Sequence, residues 1–364
     1  MAPIRALVVD DTIVYRKIVG DILKAIPGVE VVGTANNGRI ALSKMAALKP
    51  DLITLDIEMP EMNGIQVLQA LKDHAHAPVV IMLSSRTHQG SKMTIKALEL
   101  GAFDFVPKPD GGGMAENMQT VNAALVPIID ALKRQKTARV NRFEKPSPLP
   151  PAHRVSSLKQ PPRQLHPPVI RSGSDIIGIG ISTGGPNALT RMIPMLPGDL
   201  KVPVLIVQHM PPLFTASLAN SLNNKSPLEI KEAESGDLLV AGRIFIAPGG
   251  RQMKVVTRAD GVTKMIKITD DPPENSCKPS VDYLFRSLAR QYGGRSTGVI
   301  MTGMGSDGLK GLIQMKIKGG FVIAQNQETC TVYGMPKEPV ESGVADIVAP
   351  LENIAQEILN TIHA

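Results

Sequence analysis

Two sets of residues in this 364-residue chain have the types and spacing to do chemistry. Asp10 and Asp11 close the run IRALVVD, and Asp56 closes DLITLD. If those runs are parallel strands of one sheet, three carboxylates converge at one edge. Like charges that close raise one another's pKa unless a cation neutralises them. A hard divalent ion with oxygen ligands fits such a site, and Mg²⁺ is the ion we expect. Lys108, in VPKP, would bring a positive charge to the same edge, and Ser84, in MLSS, a hydroxyl. A carboxylate nucleophile, a metal, a lysine and a hydroxyl are the parts needed to accept a phosphoryl group. Each aspartate alone could equally cap a following helix. Five such groups on one edge are much harder to obtain by capping.

The second set begins at Gly180-Ile181-Ser182-Thr183-Gly184, a G-x-S-x-G sequence after an apolar run and before a helical pattern. Ser182 would stand on a sharp turn, with the N–H groups of a helix beginning near Pro186 available to an oxyanion. A dinucleotide loop fails by spacing, since Gly178 and Gly180 are followed by Ile, Ser and Thr before Gly184. A nucleophilic serine needs a base. The half of the chain that follows residue 171 holds two histidines, His209 and His363. His209 ends VPVLIVQH, at the same edge as Ser182, whereas His363 is the penultimate residue. Asp307, in the glycine-rich TGMGSDG, is the expected third member. The order Ser, His, Asp differs from the Ser, Asp, His order of α/β-hydrolases.

These groups must be carried by strand ends. Residues 4–10, 29–34, 51–56, 78–84 and 103–106 read as buried parallel strands, with helical patterns at 13–26, 37–48, 64–73, 88–100 and about 115–135. Five βα units predict a doubly wound, flavodoxin-like domain over 1–133. Residues 172–364 predict a second doubly wound, mostly parallel α/β domain. Its strands are expected at 174–182, 202–209, 243–248, 297–303 and 321–325. Its helices are expected at 187–196, 212–223, 280–292, 306–318 and 351–361. The alternating runs 252–257 and 264–269 predict an antiparallel hairpin turning at Ala259-Asp260-Gly261.

The net charge of +7 is local. Residues 1–133 carry 13 basic and 14 acidic side chains, residues 172–364 carry 18 of each, and residues 134–171 carry 9 basic and 1 acidic. Eight of those 38 residues are proline, so 134–171 is expected to be an extended, flexible basic tether. A DNA-binding domain would instead place its charge on a folded face, and with no Trp and 3% aromatic residues the chain is poor in stacking surfaces. No apolar run nears the ~18 residues of a membrane span. Two cysteines, Cys277 and Cys330, suit a reducing compartment and are read as packing residues. We expect a cytoplasmic monomer that neither binds nucleic acid nor inserts into a membrane.

VVDD, LDIEMPEMNG, MLSS and GAFDFVPKP resemble the receiver domain of two-component response regulators. The resemblance implies that Asp56 is the phospho-acceptor. Asp10, Asp11, Asp56 and the Glu58 backbone carbonyl would hold the metal. Ser84 and Phe105 would be the switch pair, and Lys108 would contact the acyl phosphate. The run after Pro78 is one residue longer than usual, which leaves Ser85 as the alternative to Ser84. GISTGGP, VQHMPP, IAPGG, PSVDYLF, TGMGSDG, AQNQETC and YGMP resemble the catalytic domain of the chemotaxis protein-glutamate methylesterases, the CheB family. That resemblance implies a phosphorylation-activated serine hydrolase, which needs no cofactor for the esterase reaction. It would demethylate glutamate methyl esters on chemoreceptors and deamidate receptor glutamines in chemotaxis adaptation, with a chemotaxis histidine kinase as phosphodonor. Ser182, His209 and Asp307 fall on its catalytic positions, with Thr183 and Met304 beside the oxyanion pocket. The rival reading is a signalling adaptor, or another response regulator, whose hydrolase half is inactive or differently directed.

Overall fold

The structure, a computed structural model, describes residues 2–72, 77–109, 111–143 and 173–362. In the first half β1 (Ile4–Val9), α1 (Ile13–Ala25), β2 (Val29–Ala35), α2 (Gly38–Leu48), β3 (Leu52–Asp56), α3 (Gly64–Leu71), β4 (Val79–Ser84), α4 (His88–Glu99), β5 (Asp104–Pro107) and α5 (Met114–Phe143) alternate throughout. The strands form one parallel sheet ordered β2-β1-β3-β4-β5, the flavodoxin-like arrangement. β3 is buried along its whole length, as a central strand covered on both faces must be. Its neighbour α3 starts with a reciprocal cap between Asn63 and Gln66, and Gly64 then lies directly on the strand. A Cβ at Gly64 would come within 2.3 Å of the Asp56 carbonyl oxygen, so this helix can approach β3 only through glycine.

The last helix of this half runs further than expected. It accommodates Pro127 and continues through Phe143. The physical reason is composition: no proline follows Pro127 until Pro146. The first ten residues of the expected tether, 134–143, are therefore helical, and its remainder, 144–171, lies outside the described residues.

The second half contains β6 (Ile176–Ile181), α6 (Gly185–Met192), β7 (Val204–Gln208), α7 (Phe214–Asn223), β8 (Glu229–Glu232), β9 (Arg243–Ile246), β10 (Gln252–Thr257), β11 (Lys264–Thr269), α8 (Val281–Tyr292), β12 (Ser296–Ile300), α9 (Leu309–Ile317), β13 (Phe321–Gln325), α10 (Lys337–Glu341), β14 (Ile347–Ala349) and α11 (Leu351–Ile362). Seven strands form a parallel sheet in the order β14-β13-β12-β6-β7-β9-β8. β10 and β11 form the expected antiparallel hairpin, whose turn is fastened by Asp260 accepting from Val262 and Thr263 N–H. The chain lays β7 on one side of β6 and β12 on the other. That reversal is the topological switch point, beyond whose strand C-termini parallel sheets open a crevice.

The two halves share apolar core. Ile95, Leu98 and Phe105 from the first half belong to the same buried cluster as Met210, Phe214 and Leu218 from the second.

Candidate functional site

The carboxylate edge of the first sheet assembles by register. Val9 pairs with Leu55, so Asp10 and Asp56 follow side by side. Lys108 Nζ lies 2.7 Å from both Asp10 Oδ2 and Asp56 Oδ2. Single ligand atoms of Asp10, Asp11 and Asp56 lie within 4.8 Å of one another. Burial pushes the Asp56 carboxyl up to about 7 against the pull of Lys108, and burial raises Asp10 in the same way. Two buried carboxyls held above their ordinary range, in an all-oxygen cluster, suit a hard cation that would restore their charged forms. Glu58 is exposed two residues beyond Asp56, in the loop before α3. Ser84 ends β4 with its hydroxyl buried, 2.5 Å from Thr94 Oγ1, whereas Ser85 lies beyond the strand and bonds Thr87. Phe105 is buried on β5.

At the switch point of the second sheet, Ser182 follows β6, His209 follows β7, and Asp307 lies in the loop after β12. Their strands are immediate neighbours. The Ser182 turn is fixed by three contacts. Its N–H donates to Thr302 O, its carbonyl accepts from Gly185 N–H at 2.7 Å, and the same carbonyl accepts from Gln208 Nε2 at 3.0 Å. Gly184 takes a left-handed φ of 78° to start α6 there. A Cβ on Gly303 would sit 2.7 Å from Ser182 Cβ, so the glycine-rich loop after β12 comes as close as a backbone can.

His209 Nε2 is 2.9 Å from Asp307 Oδ2. Asp307 is buried and saturated: Oδ2 also accepts from Val281 N–H, and Oδ1 accepts from Asn275 Nδ2, Ser280 Oγ and Asp282 N–H. Burial alone would raise the Asp307 carboxyl, but its bond with His209 and these other donors hold it down at about 2. Burial would lower the imidazole, yet its bonds with Asp307 and Cys277 carry His209 up to about 9. The ring therefore gives Nε2 to the carboxylate and turns Nδ1 toward Cys277. Among the described residues, Nδ1 makes no hydrogen bond to Ser182; its neighbour is Cys277 Sγ at 3.7 Å. Catalytic contacts of this kind commonly close only when substrate is bound. Cys277 is thus not a plain packing residue. Cys330 is, with its thiol pushed by burial up to about 12.

Sequence reasoning missed the brace behind Asp307. Asn275 Nδ2 bridges Asp307 Oδ1 and Asp282 Oδ2, at 2.9 Å each. Asn275 and Ser276 both take positive φ, in a turn closed by two backbone bonds between Glu274 and Cys277. Arg286 clamps that turn through both oxygens of Glu274. Ser280 and Asp282 lie within PSVDYLF, but nothing in the residue types of that run signals contact with Asp307.

Thr183 and Met304, expected beside the oxyanion pocket, also face the first half of the chain. Thr183 is buried and hydrogen-bonds Asp104, at the start of β5. Met304 packs against the apolar cluster that includes Leu83 and Val106. Nearby, α4 packs on α7. Ser91 Oγ lies 2.7 Å from Ser217 Oγ, Glu99 bonds Ser221 and Lys225, and the rings of Phe105 and Phe214 stack.

A flavodoxin-like domain with an aspartate cluster at its strand ends, packed against an α/β domain with a serine–histidine–aspartate switch point, defines a response regulator with an enzymatic output half. The profile for response regulator receiver domains matches residues 6–117, and that for CheB methylesterase matches residues 177–358. A protein-glutamate methylesterase/protein-glutamine glutaminase of Desulfotalea psychrophila is 53% identical over 367 residues, covering 100% of this chain and 99% of its own. The protein of the same name from Bacillus subtilis is 42% identical, over 99% of this chain and 98% of its own. The crystal structure of the Thermotoga maritima CheB methylesterase catalytic domain is 41% identical with a TM-score of 0.50, covering 51% of this chain and 98% of that one. The chain belongs to the CheB methylesterase family. Among the described residues no helix is long and apolar enough to cross a membrane.

Proposed function

We propose that this chain hydrolyses glutamate methyl esters on chemoreceptors, and the amides of certain receptor glutamines, under control of phosphorylation at Asp56. The observation that carries this reading is the 2.9 Å His209–Asp307 pair at the sheet edge where Ser182 follows β6. Asp307 holds the imidazole through Nε2–H. The raised pKa of His209 means that the free base grows as pH climbs toward about 9, and in that form the Nδ1 lone pair takes the Ser182 hydroxyl proton as Oγ attacks the ester carbonyl. The same proton then passes to the departing methanol. The first N–H of α6, on Gly185, is spent on the Ser182 carbonyl and Pro186 has none, so the oxyanion would be held by the Thr183–Met304 surroundings, and water resolves the acyl-enzyme by the reverse path. Family membership supplies the substrate: the relatives' names specify protein glutamate and glutamine.

On the receiver half, Asp56 accepts a phosphoryl group from a chemotaxis histidine kinase. The carboxylates of Asp10, Asp11 and Asp56, with the Glu58 carbonyl, would hold Mg²⁺, which neutralises charge around the acceptor. Lys108 pairs with the phosphorylated group. The esterase half uses no cofactor in this reading. Ser84 and Phe105 respond to the phosphoryl group and alter the docked face, releasing a restraint on the cleft. The protein works in the cytoplasm, as a monomer, against membrane-anchored receptors. The test is methanol release from methylated receptor membranes, with and without a small-molecule phosphodonor. Release that rises with the phosphodonor supports the reading, and no release under either condition overturns it in favour of a non-catalytic adaptor.

A further inference from the structure

We propose that His209 and Cys277 form a binding site for a soft divalent cation of the zinc type, and that such an ion inhibits the esterase reversibly. His209 Nδ1 and Cys277 Sγ face each other at 3.7 Å. A tetrahedral ion with bonds of ~2.0–2.1 Å to nitrogen and ~2.3 Å to sulfur asks for a nitrogen–sulfur separation of about 3.5 Å. The pair needs to move by only a fraction of an ångström.

Both ligands are already held. The imidazole is oriented by Asp307 through its other nitrogen. This is the carboxylate–histidine arrangement that fixes metal-bound histidines and raises their basicity. Asp307 itself accepts five hydrogen bonds and has no lone pair to offer, so it acts behind the histidine and not on the ion. Cys277 is fixed by the turn that Arg286 clamps through Glu274, and its thiol is half-buried with access to solvent. Binding releases to solvent the thiol proton and the proton that the imidazolium carries on Nδ1, and the thiolate and imidazole take two positions while water takes the others. A two-ligand site open to solvent suits exchangeable binding and not a structural metal.

Inhibition follows from which nitrogen is used. Nδ1 is the atom that must accept the Ser182 proton, so a bound ion removes the base; this part rests on the triad reading given above. Site selectivity follows from ligand type. Thiolate and imidazole favour zinc-like ions, whereas the all-oxygen cluster at Asp10, Asp11 and Asp56 favours Mg²⁺.

The test uses the full chain with cobalt(II) as spectroscopic probe and zinc as inhibitor. Wild type should develop a sulfur-to-cobalt charge-transfer band that Cys330→Ala retains and that Cys277→Ala and Cys277→Ser both lose. Zinc should suppress methanol release at least tenfold, with recovery on adding a chelator, while each Cys277 variant keeps its own metal-free rate at the same zinc concentration. No band in wild type, or a band that survives in both Cys277 variants, overturns the site. A band lost in both variants, together with zinc-insensitive methanol release, leaves the site standing and overturns the role given to His209.

Discussion

Phe105 and Phe214 stack with ring centroids 4.6 Å apart and planes 28° from parallel, one ring from each half of the chain. Phe105 lies on β5, three residues before the lysine that pairs with Asp56. Phe214 opens α7, five residues after His209. One aromatic pair therefore joins the sheet edge that carries Asp56 to the sheet edge that carries His209 and Ser182.

Offset aromatic pairs contribute about 0.5–1.5 kcal/mol beyond area burial. Replacing Phe105 by Leu should therefore loosen docking and raise the basal esterase rate of the unphosphorylated chain by roughly twofold to tenfold. A fragment of residues 173–364 should exceed the unphosphorylated chain as well. Initial rates on one receptor preparation check both, and equal rates for fragment and full chain would reject restraint by docking.

Asp104 gives the same interface a pH dependence. Burial pushes its carboxyl up to about 6 from an ordinary 3.8, against the pull of its bonds with Thr183 and Phe105 N–H. A raised pKa in the docked state means that the docked state binds the proton more tightly. Docking is thus strongest below the ordinary value, weakens as pH climbs toward 6, and has lost that contribution above it. Asp104→Asn, which stays neutral, should lower the basal rate at pH 7 by about tenfold or more, each unit of the rise from 3.8 to about 6 being worth up to about tenfold. The isolated hydrolytic fragment serves as the reference, and an unchanged ratio of full-chain to fragment rates would refute the assignment.

Ser182→Ala and His209→Ala should each reduce methanol release by at least ~10³-fold, as removal of members of a cooperating triad does. His363→Ala should be nearly silent. Should His363→Ala abolish activity while His209→Ala leaves it intact, the base has been misassigned.

Asp307→Asn should cost both activity and stability. The amide offers one acceptor oxygen where the carboxylate offers two, so some of its five donors lose their partner at about 1–3 kcal/mol each. Thermal unfolding of the variant should show a clear fall in Tm, in contrast to Ser182→Ala, which should unfold as wild type does.

Asp56→Asn should remain at the basal rate when the phosphodonor is added. Activation that persists in this variant would move the phosphoryl site elsewhere.

The strands that carry the sites were legible because buried parallel strands are short, continuous apolar runs, as VVIML and VLIVQ are. The strands that escaped notice lack that signature. β8 is Glu-Ile-Lys-Glu at the sheet edge, where one buried side chain suffices, and β14 has three residues. Strand-end polar groups announced Asp10, Asp56, Ser182 and His209 as neighbours. Asn275 and Cys277 gave no such signal: they reach Asp307 and His209 through a turn closed by positive-φ residues, 32 and 68 positions away in sequence. The helix runs past residue 133 because every proline of 134–171 lies at 146 or beyond, so the proline-rich composition of the segment as a whole hides a proline-free start.

Thr183 and Met304 belong to two surfaces at once, the surroundings of Ser182 and the seat of the receiver. A receptor segment bound at Ser182 would compete with the receiver for common ground, and the receiver would then act as a tethered competitive inhibitor. Its signature is kinetic. Unphosphorylated enzyme should show a raised KM with kcat untouched, and dense receptor arrays should open the enzyme by mass action without any phosphoryl transfer.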